Sequence, residues 1–245
     1  MLIPKPGEVK QIDIWKRPTH DSTHTAMTSL AAWFVRHIPF SYDFAIDHHS
    51  ELAVRPLADI LGDLIRLERG CMCGGLSLLM AQLAKQEGYD ALELNFGRLD
   101  GPESHVVVLV GKPGHHVIYD PTFGCFSSDA EGRPVSIEAA TDMLRRARST
   151  ELHWRPFGPR ERLFLFARSN EGMLPLKSEK TELGGDRFVA WVDLDAFADI
   201  AWIKMLEWAR TRRQDCRSSF DLLRFPLGTS GEPKAKKIAE LLSAL

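Results

Sequence analysis

Three residue types that together can activate a thiol occur in the order Cys73, His105 and Asp120. A cysteine attacks a carbonyl carbon only as its thiolate, and a helix N-terminus beside an imidazolium lowers a thiol pKa from about 8.5 to as little as 3.5–7.5. Cys73 is followed by Gly74 and Gly75 and then by Leu76, Leu79, Met80 and Leu83 at helical spacing, so it opens a helix that Gly88 closes. Each glycine costs that helix about 1 kcal/mol relative to alanine. Without side chains, however, they let a substrate carbonyl approach the sulfur, where the amide NH of Cys73 is a natural oxyanion donor. Cys71 is the competing nucleophile. It is farther from the helix and is followed by Met72 instead of a glycine pair, so it reads as a packed thiol or as a resolving neighbour.

The imidazole and the carboxylate come from a different kind of element. Residues 91–96, 105–110 and 115–120 are short apolar runs rich in β-branched and aromatic side chains, the mark of strands. Gly111-Lys112-Pro113-Gly114 reads as the turn between the last two. If that turn closes symmetrically, Val110 faces His115 and His105 faces Asp120. Directly opposed residues share a face with Cβ atoms about 4.5–5.5 Å apart, so Asp120 can accept a hydrogen bond from His105, hold its tautomer and stabilise the imidazolium.

Elsewhere the periodicities place further elements. Ser22 or Thr23 caps a helix to about His37, with Met27, Leu30, Ala31, Phe34 and Ile38 on its core stripe and Pro39 at its end. Residues 57–67, 136–148, 195–213 and 233–245 read as helices, residues 162–168 and 188–192 as strands, and residues 169–186 as a polar connection. The domain plan is an arm over residues 1–24, a catalytic core over 25–170 and an extension over 171–245 that serves as a lid or a dimer surface. Ile238, Leu241, Leu242 and Leu245 form one stripe of the last helix, which docks on its own core or on a second copy.

With 245 residues the chain can bury a core without disulfide or metal staples. Lys plus Arg is 31 against 33 for Asp plus Glu, a net charge of -2, which disfavours a nucleic-acid partner. No apolar run approaches the roughly 18 residues of a membrane span, and the start resembles no secretion signal, so the expected setting is the cytoplasm, with no membrane partner. There Cys71, Cys73, Cys125 and Cys216 stay reduced, and they contain no CxxC pair. His20 with His24, four apart, and His48 with His49, adjacent, could ligate metal but lack matching carboxylates or cysteines, so neither metal nor cofactor is expected. His115 and His116 read as turn residues near solvent. Arg145, Arg146, Arg148, Arg155, Arg160, Arg162 and Arg168 outnumber the acids around them and read as a solvated face or a phosphate-recognising patch. Ser77 lacks the second glycine of a nucleophile elbow.

Cys-Gly-Gly-Leu-Ser at 73–77, Ser-His-Val-Val-Val-Leu-Val at 104–110 and Ile-Tyr-Asp-Pro-Thr-Phe-Gly at 118–124 resemble the catalytic core of transglutaminase-like proteins. Segments 38–40, 69–73 and 120–124 are also similar to parts of the arylamine N-acetyltransferases. Cys71 stands there for a glycine, and Pro121-Thr122 for Val-Gly, which favours the transglutaminase-like reading. The resemblance implies an α+β protein with a papain-like core, its nucleophile at a helix start packed on an antiparallel sheet, followed by a C-terminal α/β extension. It implies Cys73 as nucleophile, His105 as base and Asp120 as orienting acid, with a second oxyanion donor upstream, for which Tyr42 is the candidate. The expected activity is acyl transfer from an amide or thioester on a small-molecule, peptide or carrier-bound substrate to an amine. Peptidase, amidase or deamidase activity by the same triad is the alternative, and an inactive binding fold is the third reading.

Overall fold

The computed structural model describes residues 23–97, 104–112, 115–140, 153–157, 161–173, 180–193 and 223–224. Residues 1–22 of the arm, the helices expected over 195–213 and 233–245, and the stretch 141–148 of the helix expected from 136 lie outside the described residues; Thr23 and His24 belong to the first helix, and residues 137–140 are helical.

The first helix, α1 (Thr23–His37), forms where the apolar stripe sets it, and Met27, Leu30, Ala31, Phe34 and Ile38 are all fully buried. The last hydrogen bond of this run is donated by the Ile38 amide to the Phe34 carbonyl, before Pro39 removes the next donor. After a short helix that the periodicities did not indicate, α2 (His48–Val54), comes α3 (Leu57–Ile65). The end of α3 carries an unusual residue. Leu67 has φ 62°, with its amide on Leu64 and that of Glu68 on Asp63, a bonding pattern in which glycine is the usual occupant of the left-handed position. The conformation costs a leucine about 1–2 kcal/mol. Burial of its side chain with Leu163, Leu165 and Val189 offsets this, since full burial of a leucine is worth about 1.5–3 kcal/mol. The next helix, α4 (Cys73–Gln86), ends on the same bond pair with Gly88 at φ 84°, as its sequence predicts.

Six strands make one antiparallel sheet in the order β5-β4-β3-β2-β1-β9, comprising β1 (Asp90–Gly97), β2 (Ser104–Lys112), β3 (His115–Asp120), β4 (Cys125–Ser128), β5 (His153–Pro156) and β9 (Leu223–Arg224). A second sheet, also antiparallel, has the order β6-β8-β7, from β6 (Glu161–Ala167), β7 (Lys180–Gly184) and β8 (Arg187–Asp193). α4 packs on β1 and β2, while α1 touches α4, β3 and β6, so the main core lies between these helices and the two sheets. The chain is therefore α+β, as expected.

Three expectations require correction. The β2–β3 ladder pairs Val110 with Val117 and Lys112 with His115, so Gly111 and Lys112 belong to β2 rather than to the turn. The expected pairing of Val110 with His115 is off by two residues, and a slip of two keeps every side chain on its face. The connection expected over residues 169–186 contains a 3-10 turn (Arg168–Met173) and β7. Because β6 and β7 both pair with β8 in one sheet, the boundary drawn between residues 170 and 171 passes through that sheet.

Candidate active site

The turn that delivers Cys73 is held by backbone on both sides. Cys71 donates to Pro39 O and accepts from Ser41 N, each at 3.0 Å, while Gly70 donates to Phe44 O and accepts from Ile46 N at 2.9 Å. Phe40 also bonds Leu163 and Leu165 of β6, so residues 39–46 join the cysteine turn to the second sheet. Gly70 is required by the close approach: a Cβ there would lie 2.5 Å from Ser41 Cβ. Arg69 adds a clasp from its guanidinium to the carbonyl of Ala45 and to Glu51 of α2, at 3.2 and 3.1 Å. Cys71 is fully buried, and burial pushes its thiol well up, which suits a packed side chain and not a nucleophile.

Met72 is the extended N-cap of α4, and Cys73 is the first helical residue. The amides of the first turn have no carbonyl partner within the helix. Cys73 is half-buried. Burial alone would raise its thiol, but the hydrogen bond to His105, the charge on that ring and a bond from the Val106 amide outweigh it, so its pKa is lowered. Ser77, one turn on, donates to Val106 O at 2.8 Å and fixes α4 against β2 beside the sulfur. Its hydroxyl is thus structural.

His105 Nε2 lies 2.8 Å from Asp120 Oδ2, which leaves Nδ1 as the nitrogen for the thiol. Burial disfavours the imidazolium, yet the Asp120 charge and hydrogen bond, followed by Cys73, overcome it and push the pKa up to about 10. Asp120 is fully buried, and its other oxygen accepts the amides of Thr122 at 2.8 Å and Phe123 at 3.1 Å. The Phe123 ring lies 5.1 Å from the imidazole centroid and closes that side. The geometry brings Cys73, His105 and Asp120 together, although the ladder sets His105 and Asp120 diagonally rather than face to face.

Other candidates fall differently. Tyr42 is more than half exposed, and its hydroxyl is raised by desolvation and then by the negative charge of Cys73, so it stands within the field of the thiol. Met72 is exposed on the same turn. His48 lies against the start of α4, since a Cβ at Gly74 would be 3.2 Å from its Cε1 and Nε2. The backbone of His49 is in α2, and His24 Nδ1 meets the Tyr119 hydroxyl at 3.0 Å. No group of three His, Cys, Asp or Glu suited to a metal occurs among the described residues. His20 and Cys216 lie outside them.

His115 is exposed as expected, but His116 is not a solvent-facing turn residue. It lies in β3, fully buried, 3.2 Å from Asp90 across the side-chain-free Gly111. Arg162 is no part of a solvated face. It is fully buried in β6, on the parity of Phe164 and Phe166, in a strand whose alternate residues Leu163 and Leu165 are buried too, so no alternation marks it in the sequence. The amides on Asp120 were open to inference, because Asp followed by Pro-Thr is a turn in which the side chain caps its own backbone. Nothing in the sequence places His48 beside the start of α4. Among the described residues no helix is long and apolar enough to cross a membrane.

Compared with known proteins, the chain matches no protein-family model and none of the curated proteins.

Proposed function

We propose that the protein is a thiol-dependent acyltransferase that forms a thioacyl intermediate on Cys73. A single observation carries this reading: a cysteine at a helix start, its pKa lowered, hydrogen-bonded to an imidazole that a buried carboxylate holds as the cation. The Cys73 thiolate attacks the carbonyl carbon of an amide or thioester, and the displaced electron pair resides on oxygen, facing the Cys73 amide. As the intermediate collapses, the C–N or C–S bond breaks and the leaving group takes a proton from His105. An amine then attacks the thioacyl carbon, gives its proton to His105 and releases Cys73 as thiolate. The resting pair is thereby restored.

Water in place of the amine makes the same protein a peptidase, amidase or deamidase. A papain-like, transglutaminase-like core is the finer fold reading, supported by a nucleophile that opens a helix packed on an antiparallel sheet carrying the His and Asp on neighbouring strands. The substrate is a small-molecule, peptide or carrier-bound acyl group, and a cytoplasmic setting fits a catalytic thiol that must stay reduced.

The test is site-resolved alkylation followed by substrate trapping. At pH about 6, iodoacetamide should label Cys73 far faster than Cys71 or Cys125, and equal slow labelling would remove the catalytic assignment. Incubation with thioester and peptide donors, with and without amines, should give an intact-mass adduct that is absent from Cys73→Ala. Release by amine identifies a transferase; release by water alone identifies a hydrolase.

A further inference from the structure

Arg162 is the one buried arginine or lysine among the described residues, and the proposed mechanism does not use it. Its side chain is fully buried, and it forms no ion pair with a carboxylate among the described residues. Instead Nη1 donates to Pro121 O and, at 3.3 Å, to Thr122 O, and Nη2 donates to Ile38 O at 2.9 Å, while Nε has no partner. A guanidinium in such a place is expensive unless a negative charge lies close. The carbonyls it grips belong to the two residues that follow Asp120, and the amides of that same turn hold Asp120 Oδ1.

We propose that Arg162 is the buried counter-charge and positioning residue of the Cys73–His105–Asp120 cluster. This inference rests on the reading of that cluster as a working thiol site. Thiolate, imidazolium and carboxylate together carry one net negative charge in a buried place, and the guanidinium makes the set neutral. Its fork also fixes the Pro121–Thr122 turn, and through it the carboxylate that orients His105. The titratable groups whose charge reaches Arg162 are Cys71 and Asp120, and with Cys71 held as the neutral thiol by burial, Asp120 is the anion that answers it. On β8 the residue opposite is the apolar Val192, and the end of α1 contributes only the Ile38 carbonyl. The unusual placement of a strongly charged side chain on a core strand thus has an electrostatic reason.

The experiment is the pH profile of Cys73 alkylation by iodoacetamide, read by mass spectrometry, in the full chain and in Arg162→Met and Arg162→Lys. Removing the positive charge leaves the cluster net negative and disfavours the thiolate, so the midpoint of the acid limb in Arg162→Met should move up by about one pH unit, costing about tenfold in rate below it. Arg162→Lys keeps the charge and should hold the midpoint of the parent. A folded Arg162→Met with an unshifted midpoint overturns the proposal. Should that variant not fold, a displaced midpoint in folded Arg162→Lys overturns it instead, because charge would not be what sets the profile. A parent protein with no low-pH limb at all would refute the thiol site itself, a result distinct from either.

Discussion

Asp120 Oδ2 stands 2.8 Å from His105 Nε2, although the β2–β3 register, continued from Val108 opposite Tyr119, sets Val107 and not His105 across from Asp120. The contact is a diagonal one on a shared face, within reach because imidazole is long enough to span the extra step. The diagonal also leaves the far nitrogen of the ring for the Cys73 thiol at the start of α4.

Asp120→Asn should keep the turn but lose the charge that holds His105 protonated. The thiolate–imidazolium pair then relaxes to neutral thiol and imidazole. A nearby opposite charge is worth about 1–3 pKa units, so alkylation of Cys73 between pH 6 and 8 should slow by at least about tenfold. Stopped-time labelling with peptide mapping measures it, and an unchanged rate would separate Asp120 from the chemistry.

The pH dependence of stability follows from the two opposite shifts. His105 is raised above its unfolded 6.5, so its contribution is full below 6.5 and is lost as pH climbs toward about 10. Cys73 is lowered below 9.0, so its contribution is full above 9.0 and is lost as pH falls through its folded value. Below 9.0 and above 6.5 the two dependences oppose each other, so stability should change less with pH there than the histidine alone would impose, apart from other groups. In Cys73→Ala only the histidine remains, and stability should fall from pH 6.5 upward by about 1.4 kcal/mol per unit. Urea titrations of both proteins at four or five pH values decide it.

Gly70→Ala inserts a methyl 2.5 Å from Ser41 Cβ and 3.1 Å from Pro39 O, in a turn pinned from both sides. Neither neighbour can yield without breaking the bonds that place Cys73. A loss of about 2 kcal/mol or more is expected in denaturant melts, together with slower Cys73 labelling.

Ser77→Ala removes the buried donor to Val106 O while leaving helix propensity intact. The cost should be about 1–3 kcal/mol. Since the Val106 amide bonds the Cys73 sulfur, the labelling rate should fall as well, whereas a pure stability loss would give native-like rates in the folded fraction.

Elements whose partners are local could be read from the chain. The stripe of α1, the cysteine opening α4, the glycine ending it and the extended runs of β1, β2 and β3 were legible because a period of 3.6 or 2 is written in neighbouring residues. Chain order and residue type also singled out Cys73, His105 and Asp120. The hairpin register was not legible, because Gly111-Lys112-Pro113-Gly114 allows more than one closure and the apolar run of β2 gives no alternation to choose between them. The fold, by contrast, is what buries His116 beside Asp90, braces the cysteine turn with residues 39–46, lays His48 on Gly74 and brings Arg162 onto the carbonyls that follow Asp120. These depend on segments far apart in the chain meeting in space, where the energy of burying a charge or a ring is set by partners that no local pattern names.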